Sequence, residues 1–520
     1  MKKIATALLS CALAAATLAG CAANAAQVPQ ESQEPHTAAL TATAAASVKS
    51  PKYVFLFIGD GMSYPQIQST SDYLGALKDA DYWQAQPSLD DNQGAILDGP
   101  EYLNFMNFEA AGSAVTYDSN SFAPDSASTA TSISTGHKTY SGSINVDETG
   151  TIEYETIAEQ LKAQKGWEIG VITSVNLNHA TPAALYAHQA SRSSYYEIGL
   201  ELVESGFDYF AGGGLLKPTG SSGDQTDLYE LAQEAGYTVA KTHAEADAIG
   251  TNTEKAIIID EDLADSDAMA YELDRTDDMW ALADYVAKGI EVLDNDTGFF
   301  MMCEGGKIDW ACHANDAASS IHDTQALADA VQVAIDFAKE HADETLILVT
   351  GDHETGGLTI GFAGTDYDTY LDLLENQKIS FAKYDSDYVA SYKANKPPFG
   401  TVLADIEKLF GLKAQGEEGD KLVLTAYEME QLRAAYEKSI NGTASSQYDQ
   451  AEYVLYGTYE PLSVTITHII NNKSGISFTS YSHTGLPVAV LAEGAGSEMF
   501  NGYYDNTDIY NKLADLLNIA

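Results

Sequence analysis

Basic side chains are scarce in this chain of 520 residues, since 27 Lys and Arg stand against 76 Asp and Glu for a formal net charge of −49. Nucleic acids and anionic membranes bind basic surfaces, so this balance argues against both as direct partners. The acidity would also repel an anionic substrate at long range. A site for such a substrate would therefore need bound cations and at least one arginine to reverse the local potential.

Cysteine is also rare, with four in the chain, and only Cys303 and Cys312 lie beyond the N-terminal region. Two thiols in so long a chain do not indicate a disulfide framework. Cys303 ends an apolar run that begins at Gly298, which predicts a buried small hydrophobe. Cys312 adjoins His313, but adjacent residues of a helix point in different directions, so we expect core packing rather than a shared ligand pair.

The N-terminal region has no apolar run of membrane-spanning length, because the run over residues 4–18 is too short to cross a bilayer. Its basic start and small closing residues are typical of a secretory signal peptide, predicted over residues 1–20. The sequence Leu-Ala-Gly-Cys over residues 18–21 resembles a bacterial lipobox, which predicts lipidation of Cys21; cleavage after Ala25 is the alternative. Both predict a folded part outside the cytoplasm, lipid-anchored at the cell envelope or periplasmic. Residues 21–50 lack apolar periodicity, which predicts a flexible tether.

Six apolar runs have the length and composition of strands that are buried on both faces of a sheet. They are Tyr53–Ile58, Glu168–Thr173, Ala256–Ile259, Phe299–Cys303, Thr345–Val349 and Val488–Leu491. Amphipathic helical stretches lie between them, for example Thr156–Leu161, Met279–Leu293 and Ala317–His341. The alternation predicts an α/β fold over residues 51–520, a three-layer αβα sandwich with a large, mostly parallel central sheet.

The stretch from about residue 362 to 475 interrupts this alternation with aromatic and polar loops and many tyrosines. It contains the helical segments Thr401–Phe410 and Thr425–Ser439. We interpret the stretch as an insertion that caps the main domain. A wholly independent domain is the alternative, which the length of the chain also allows.

Acidic and imidazole side chains follow directly after several predicted strands. Asp60 follows the first run, Glu304 follows the run from Phe299, and Asp352 and His353 follow the run from Thr345. Ligands of open α/β sheets collect beyond the carboxyl ends of the strands. We therefore expect these side chains to lie at the same edge of the sheet.

Nitrogen and carboxylate donors recur at spacings that suit zinc. Asp309 and His313 are four residues apart, so in a helix both side chains project from one face and can hold one cation. Asp352-His353 and His483 add a carboxylate and two imidazoles near strand ends. On spacing alone, Asp309 and His313 fit a solvated pair equally well, and a loop histidine such as His483 is more often simply exposed.

Oxygen donors and one arginine complete the candidate site. Asp60, Thr181 and Glu304 suit a harder ion such as Mg²⁺, although singly Asp60 also fits a helix N-cap and Glu304 a turn carboxylate. Arg192 is the one arginine near these motifs, and its fork can hold two phosphate oxygens. A helix-end arginine that faces water is the alternative.

A run of small residues, Ala123–Thr131, sets Ser126 beside Asp125 at a point where a helix can begin. A serine in that position is suited to act as a metal-activated nucleophile. Taken by itself, a run of Ser, Ala and Thr is more typical of a loop.

The order of these motifs along the chain resembles that of the alkaline phosphatase family, over roughly residues 52–361 and from 476 to the end. The motifs are Gly59-Asp60-Gly61, Asp125-Ser126-Ala127, Ala180-Thr181-Pro182 through Arg192, Glu304-Gly305 with Asp309 and His313, Asp352-His353, and His483-Thr484-Gly485. The resemblance implies an alkaline phosphatase that hydrolyses small-molecule phosphate monoesters through a phosphoserine. It also implies two Zn²⁺ ions, one Mg²⁺ ion and a homodimer.

The resemblance assigns roles residue by residue. It implies that Ser126 is the nucleophile and that Arg192 clamps the phosphate. The implied metal ligands are Asp309, His313 and His483 for the first zinc, Asp60, Asp352 and His353 for the second, and Asp60, Thr181 and Glu304 for magnesium. Two positions depart from the best-known enterobacterial pattern: His179 replaces an aspartate near the third metal, and Trp310 replaces a lysine near the phosphate. Both replacements resemble those of marine and psychrophilic bacterial members.

Two rival functions stay open at this point. A phosphodiesterase or sulfatase of the same superfamily shares the two-metal core, but Ser126 lacks the Cys/Ser-x-Pro-x-Arg context of a sulfatase, and a diesterase usually lacks the third metal site. A surface lipoprotein that binds metal or phosphate without turnover is the rival from a different class.

Overall fold

The protein is described by a computed structural model that covers residues 50–79, 82, 96–442 and 444–519. The predicted signal peptide, the lipidation site Cys21 and the predicted tether up to residue 49 lie outside the described residues. Within the described ranges, no helix combines the length and the apolar character that crossing a membrane requires.

The described residues form fourteen strands, which make one large sheet and two small pairs. They are β1 (Tyr53–Gly59), β2 (Ala110–Val115), β3 (Glu168–Thr173), β4 (Tyr209–Gly212), β5 (Thr238–Ala240), β6 (Ala256–Ile259), β7 (Phe299–Gly305), β8 (Thr345–Gly351), β9 (Glu354–Thr355), β10 (Thr359–Ile360), β11 (Ile476–Ser477), β12 (His483–Thr484), β13 (Val488–Gly494) and β14 (Gly502–Asp505). The large sheet has ten strands in the order β14-β2-β13-β8-β1-β7-β3-β4-β6-β5. Among these strands only β13 is antiparallel to its neighbours, β2 and β8.

The α-helices of the described residues lie on both faces of this sheet and in the stretch from residue 362 to 475. They are α1 (Tyr64–Lys78), α2 (Ser126–Thr135), α3 (Ile157–Lys165), α4 (Ala180–Ala183), α5 (Tyr195–Ser205), α6 (Leu228–Glu234), α7 (His243–Asp247), α8 (Leu282–Leu293), α9 (Lys307–His313), α10 (Ala317–Glu340), α11 (Phe381–Tyr384), α12 (Ala390–Asn395), α13 (Phe399–Phe410), α14 (Ala426–Asn441), α15 (Gln450–Tyr456), α16 (Pro461–Ser474) and α17 (Thr507–Leu517).

Alternating side chains of β1 enter two different hydrophobic cores, because successive residues of a strand point to opposite faces. Val54 and Leu56 pack with residues of α2, α3, α5 and α17. Phe55 and Phe57 pack with residues of α1, α8 and α10. The predicted three-layer αβα sandwich with a mostly parallel sheet is therefore confirmed.

The six predicted strands correspond to β1, β3, β6, β7, β8 and β13. Four further strands of the sheet are not predicted. β4 has only three apolar residues before a run of glycines, β5 has only three residues in all, and β2 and β14 lack a continuous apolar run. The prediction that a helix begins at Met279 is wrong, since α8 begins at Leu282. Asp284 accepts the backbone N–H of Ala281 at 2.8 Å and so caps the helix at that point.

In the stretch from residue 362 to 475, the described residues contribute no strand to the large sheet and contain the helices α11 to α16. Apolar residues of this stretch, such as Val402 and Ile466, share a third hydrophobic core with Ile321 of α10. The boundaries of this stretch and its description as a cap stay predictions.

The register of the central strands brings the predicted site residues to one edge. Gly59 at the end of β1 pairs with Gly305 of β7 and with Gly351 of β8. Asp60 and Asp352 therefore follow at the same level on adjacent strands. Glu304 lies one residue lower on β7 and pairs with Thr173 of β3.

Candidate metal centre and active site

The first cluster contains Asp60, Asp352 and His353, which follow β1 and β8 and are fully buried. His353 Nε2 lies 3.3 Å from Asp60 Oδ1 and 3.3 Å from Asp352 Oδ2. Ser126 Oγ, at the first residue of α2, lies 3.2 Å from the same nitrogen. Two carboxylates and an imidazole thus face one point that a divalent cation can occupy, with a hydroxyl group beside it.

The second cluster contains Asp309, His313 and His483. Asp309 and His313 project from the same face of α9, and His313 Nε2 lies 3.3 Å from Asp309 Oδ2. His483 Nε2 lies 3.1 Å from His313 Nε2 and 3.6 Å from Asp309 Oδ1. Asp309 is only 3% exposed, so the alternative of a solvated Asp/His pair is wrong.

Backbone carbonyls orient both imidazoles of the second cluster. His313 Nδ1 lies 2.6 Å from the carbonyl oxygen of Tyr481, and His483 Nδ1 lies 2.5 Å from that of Pro124. A carbonyl oxygen only accepts, so each Nδ1 carries a proton, and in the neutral imidazole each Nε2 keeps a lone pair directed at its neighbours in the cluster. Histidines that bind metals are oriented in the same way by a partner on the second ring nitrogen.

The third cluster combines Asp60, Glu304 and His179. Thr181 Oγ1 lies 3.3 Å from Asp60 Oδ2, and Thr173 Oγ1 donates to Glu304 Oε2 at 2.5 Å. The His179 imidazole, which the resemblance places near the third metal, lies in this cluster with the predicted oxygen donors Asp60 and Glu304. Zinc and other borderline metals accept such a mixed set more readily than Mg²⁺ does.

The carboxyl groups of these clusters are buried together, which opposes their ionisation. Burial, aided by neighbouring carboxylates, raises the pKa of Asp352 to about 8 and that of Glu304 to about 7, and raises the pKa of Asp60 well above its usual value. Burial also opposes the ionisation of Asp309, but nearby imidazoles, chiefly His313, outweigh it and hold its pKa well below its usual range.

Two buried oxygens of the site, Asp60 Oδ1 and Glu304 Oε1, have no hydrogen-bond donor among the described residues. Buried polar atoms are rarely left without a partner. Divalent cations would neutralise the carboxylates and coordinate these oxygens. The residues present therefore fit bound metal ions.

Asp125 links the start of α2 to Arg192. Its Oδ1 accepts the backbone N–H of Ser128 at 3.1 Å, and its Oδ2 lies 2.9 Å from Arg192 Nη1. Burial raises the pKa of Asp125, but the Arg192 guanidinium and the backbone N–H groups of Gly142 and Ser128 together outweigh it, and the net shift is downward. Arg192 Nη2 lies 3.0 Å from His179 Nε2, so the alternative of an arginine that only faces water is wrong.

Trp310 lies beside His179, with the two rings edge-on and their centroids 5.9 Å apart. Lys307 precedes Trp310 by one turn of α9 and has a fully buried side chain. Its Nζ lies 4.8 Å from the centre of the Trp310 ring and 3.0 Å from Asp265 Oδ1. The buried ammonium group of Lys307 therefore makes a cation–π contact with the ring of Trp310, which borders the site.

Comparison with known proteins identifies the family. The alkaline phosphatase family profile matches residues 51–519. The chain belongs to this family. Alkaline phosphatase 4 of Bacillus subtilis is 30% identical over 473 residues, which cover 89% of this chain and 88% of that protein.

Solved alkaline phosphatase structures share the fold. The cold-active alkaline phosphatase from the psychrophile Shewanella sp. is 27% identical, with a TM-score of 0.68 and coverage of 89% of this chain and 99% of that one. The Thermus thermophilus alkaline phosphatase has a TM-score of 0.72 at 22% identity, covers 91% of this chain and 93% of that one, and bears on the fold alone.

Membership of the alkaline phosphatase family confirms the resemblance that the motifs predict. The protein is an alkaline phosphatase, an enzyme that hydrolyses phosphate monoesters at a site for divalent metal ions. The three buried clusters are the candidate positions for these ions.

Several contacts of this alkaline phosphatase site have no signal in the sequence. Thr355 Oγ1 donates to Asp309 Oδ1 at 2.5 Å across 46 residues, and the contact between Thr173 and Glu304 spans 131 residues. Asp125 lies inside a predicted motif, but its contact with Arg192 is not predicted. Single polar residues carry no local pattern that identifies a distant partner.

Both cysteines of the described residues are free and buried, as predicted. Cys312 Sγ lies 3.2 Å from Ser320 Oγ in α10. It therefore packs against the neighbouring helix, although it adjoins His313 in sequence.

Proposed function

We propose that this alkaline phosphatase acts through a phosphoserine on Ser126, at a site with two Zn²⁺ ions and one Mg²⁺ ion. The observation that carries the proposal is the distance of 3.2 Å between Ser126 Oγ and His353 Nε2, within the buried cluster that includes Asp60 and Asp352. A hydroxyl beside a metal-type donor set and at the start of a helix is suited to nucleophilic attack on phosphorus.

The nitrogen and carboxylate donors of the first two clusters support zinc, and the oxygen donors of the third support magnesium, although an all-oxygen set would favour Mg²⁺ more strongly than one that includes His179. The zinc ligands would be Asp309, His313 and His483 for one ion, and Asp60, Asp352 and His353 for the other. Asp60, Thr181 and Glu304 would hold the magnesium, with His179 beside it. When bound, the ions would lower the pKa of the serine hydroxyl and of water, and would neutralise the ester oxygen as it leaves.

The protein side chains then position two successive displacements. Ser126 Oγ forms a bond to phosphorus as the bond to the alcohol oxygen breaks. Arg192 and the N-terminal N–H groups of α2 stabilise the equatorial phosphate oxygens. Water then attacks the phosphoserine from the side that the alcohol has left, which releases phosphate and restores the Ser126 hydroxyl. Trp310 and His179 border the phosphate and the third metal, respectively.

The location and assembly of the enzyme are further proposals that rest on its sequence and family. We infer secretion through the signal peptide over residues 1–20, with a lipid anchor at Cys21 or free release into the periplasm as the two routes. We also infer a homodimer. The family supports small-molecule phosphate monoesters as substrates, and the net charge of −49 argues against nucleic-acid binding.

The test of the proposal compares Ser126→Ala with Ser132→Ala. Ser132 is a matched control, because it lies in the same helix, is buried and donates only to the backbone carbonyl of Ser128 at 3.0 Å. We expect Ser126→Ala to keep its zinc and to lose about 10³-fold or more of its turnover of p-nitrophenyl phosphate. Ser132→Ala should retain its turnover.

Acid quenching of the wild-type enzyme with substrate should leave a phosphoryl group on Ser126, detectable by mass spectrometry of the tryptic peptide. A phosphorylated residue other than Ser126, or full activity in Ser126→Ala, would contradict the proposal. Faster turnover of bis(p-nitrophenyl) phosphate than of the monoester would favour the phosphodiesterase alternative.

A further inference from the structure

The segment of residues 184–192, which leads from α4 to Arg192, is held against the loop that follows α2. Gln189 and Ile144 exchange both backbone hydrogen bonds, at 3.0 and 2.8 Å, in an antiparallel bridge. The N–H of Arg192 donates to the carbonyl of Gly142 at 2.8 Å. The N–H of Gly142 in turn donates to Asp125 Oδ1 at 2.8 Å. The position of Arg192 beside Ser126 therefore depends on how this loop is held.

Asn145 lies at the centre of this arrangement and is fully buried. Its Nδ2 donates to the backbone carbonyls of Ala184 and Ala187, at 2.9 and 2.8 Å. Its Oδ1 accepts from Ser134 Oγ at 3.2 Å, and its backbone N–H donates to Thr131 Oγ1 at 2.9 Å. Ser134 and Thr131 belong to α2, so one residue bonds both to the nucleophile helix and to the segment that carries Arg192.

The backbone of Asn145 is left-handed, with φ of +48°. Glycine adopts this conformation at no steric cost, whereas asparagine only tolerates it. The backbone alone therefore does not explain an asparagine here. The side-chain amide explains the asparagine. Its loss would leave two buried carbonyl groups with one partner fewer and would remove contacts between the segment and α2.

We propose that Asn145 is a positioning residue for catalysis, which holds the Arg192 segment at a defined distance from the Ser126 helix. The inference rests on the proposed roles of Ser126 and Arg192. A displacement of about 1 Å between catalytic groups can lower the rate by about 10²-fold. Loss of the Asn145 side-chain amide is therefore expected to lower the catalytic rate in addition to any loss of stability.

The test uses Asn145→Gly, which suits the left-handed backbone but removes the amide contacts. Asn295→Gly is the matched control. Asn295 Nδ2 also donates to two carbonyls, those of Leu293 and Gly298, at 2.8 and 3.4 Å, and its Oδ1 accepts two backbone N–H groups where that of Asn145 accepts one hydroxyl. It precedes β7 at the amino edge of the sheet, away from the metal clusters.

For the purified metal-loaded enzyme, we expect Asn145→Gly to lower kcat/KM for p-nitrophenyl phosphate about tenfold and to raise the inhibition constant of inorganic phosphate about tenfold. Zinc content should equal that of the wild type. Asn295→Gly should change both constants less than about twofold, even where it lowers the melting temperature as much. Asn145→Asp keeps the size and the Oδ1 acceptor but loses the donors, and it should change both constants in the same direction. It provides the test if the glycine variant folds poorly.

A double-mutant comparison separates this inference from the function on which it rests. In an Arg192→Ala background, Asn145→Gly should lower kcat/KM by less than about twofold, because its effect passes through Arg192. Normal constants in Asn145→Gly, or an equal loss in both backgrounds, would overturn the inference alone. Normal constants in Arg192→Ala would overturn the proposed role of Arg192 and the inference together.

Discussion

Arg192 Nη1 lies 2.9 Å from Oδ2 of Asp125, the residue that immediately precedes Ser126. The Asp125 carboxylate, next to the candidate nucleophile, therefore orients the guanidinium of Arg192. Because Asp125 also caps α2, the start of the helix and the position of the arginine are set by one side chain.

Arg192→Lys should keep the positive charge and lose the forked geometry. We expect kcat/KM for p-nitrophenyl phosphate to fall about 10- to 100-fold, because hydrogen bonds to charged groups contribute roughly 1.5–3 kcal/mol each. Inhibition by inorganic phosphate should weaken in parallel. Arg275→Lys is the control, since that guanidinium contacts both carboxylate oxygens of Glu272 at 2.8 and 2.7 Å. Equal kinetics for both variants would contradict a specific role of Arg192.

His483→Asn should remove one ligand of the second cluster while leaving Asp60, Asp352 and His353 in place. We expect elemental analysis to find about one zinc ion fewer per chain and turnover to fall about 10²-fold, with partial recovery in excess zinc. His341→Asn serves as the control, because that ring packs on Tyr53 at the amino end of β1. Unchanged zinc content in His483→Asn would exclude it as a ligand.

His179→Asp should convert the third cluster to oxygen donors only. We expect the concentration of Mg²⁺ needed for half-maximal activation to fall about tenfold, because carboxylates suit this hard ion better than imidazole does. His137→Asp introduces the same charge at an exposed position and should leave the Mg²⁺ dependence unchanged. An unaltered Mg²⁺ requirement in His179→Asp would show that His179 does not border the third ion.

His188 is predicted to make the stability of the enzyme depend on pH. Burial lowers its pKa, but Glu159 and Glu201, at 3.5 and 3.8 Å, outweigh it and raise the pKa to about 10. A histidine with a raised pKa contributes stability that is complete below about pH 6.5 and is lost as the pH rises toward 10. The destabilisation by His188→Gln should therefore be largest near pH 6 and disappear near pH 10.

Melting temperatures of wild type and His188→Gln across this range test the prediction, with His137→Gln as the control. His137 stacks on Tyr154 at 4.2 Å, and none of the ion pairs found for the described residues involves it. At each pH, subtracting the melting temperature of the variant from that of the wild type cancels the pH dependence of metal binding. A difference that stays constant from pH 6 to 10 would contradict the role given to Glu159 and Glu201.

The sequence predicts the long buried strands well, because a strand covered on both faces is a continuous apolar run. The predicted bounds of β3 and β6 agree with the structure, and β1 extends by one residue. The antiparallel direction of β13 could not be predicted, because strand direction depends on which neighbours a strand pairs with. β4 and β5 could not be predicted for a different reason, because neither has more than three residues before its apolar pattern ends.

The family, the α/β class and the positions where acidic and imidazole residues follow strands can be predicted from the chain alone, because they depend on local composition and motif order. How the side chains meet depends on the folded structure. His313 and His483 are 170 residues apart, yet their Nε2 atoms lie 3.1 Å from each other, beside Asp309. The carbonyl groups of Tyr481, two residues before His483, and of Pro124, in a third segment, orient these rings. Such contacts arise from the packing of the whole sheet and its helices rather than from any local pattern.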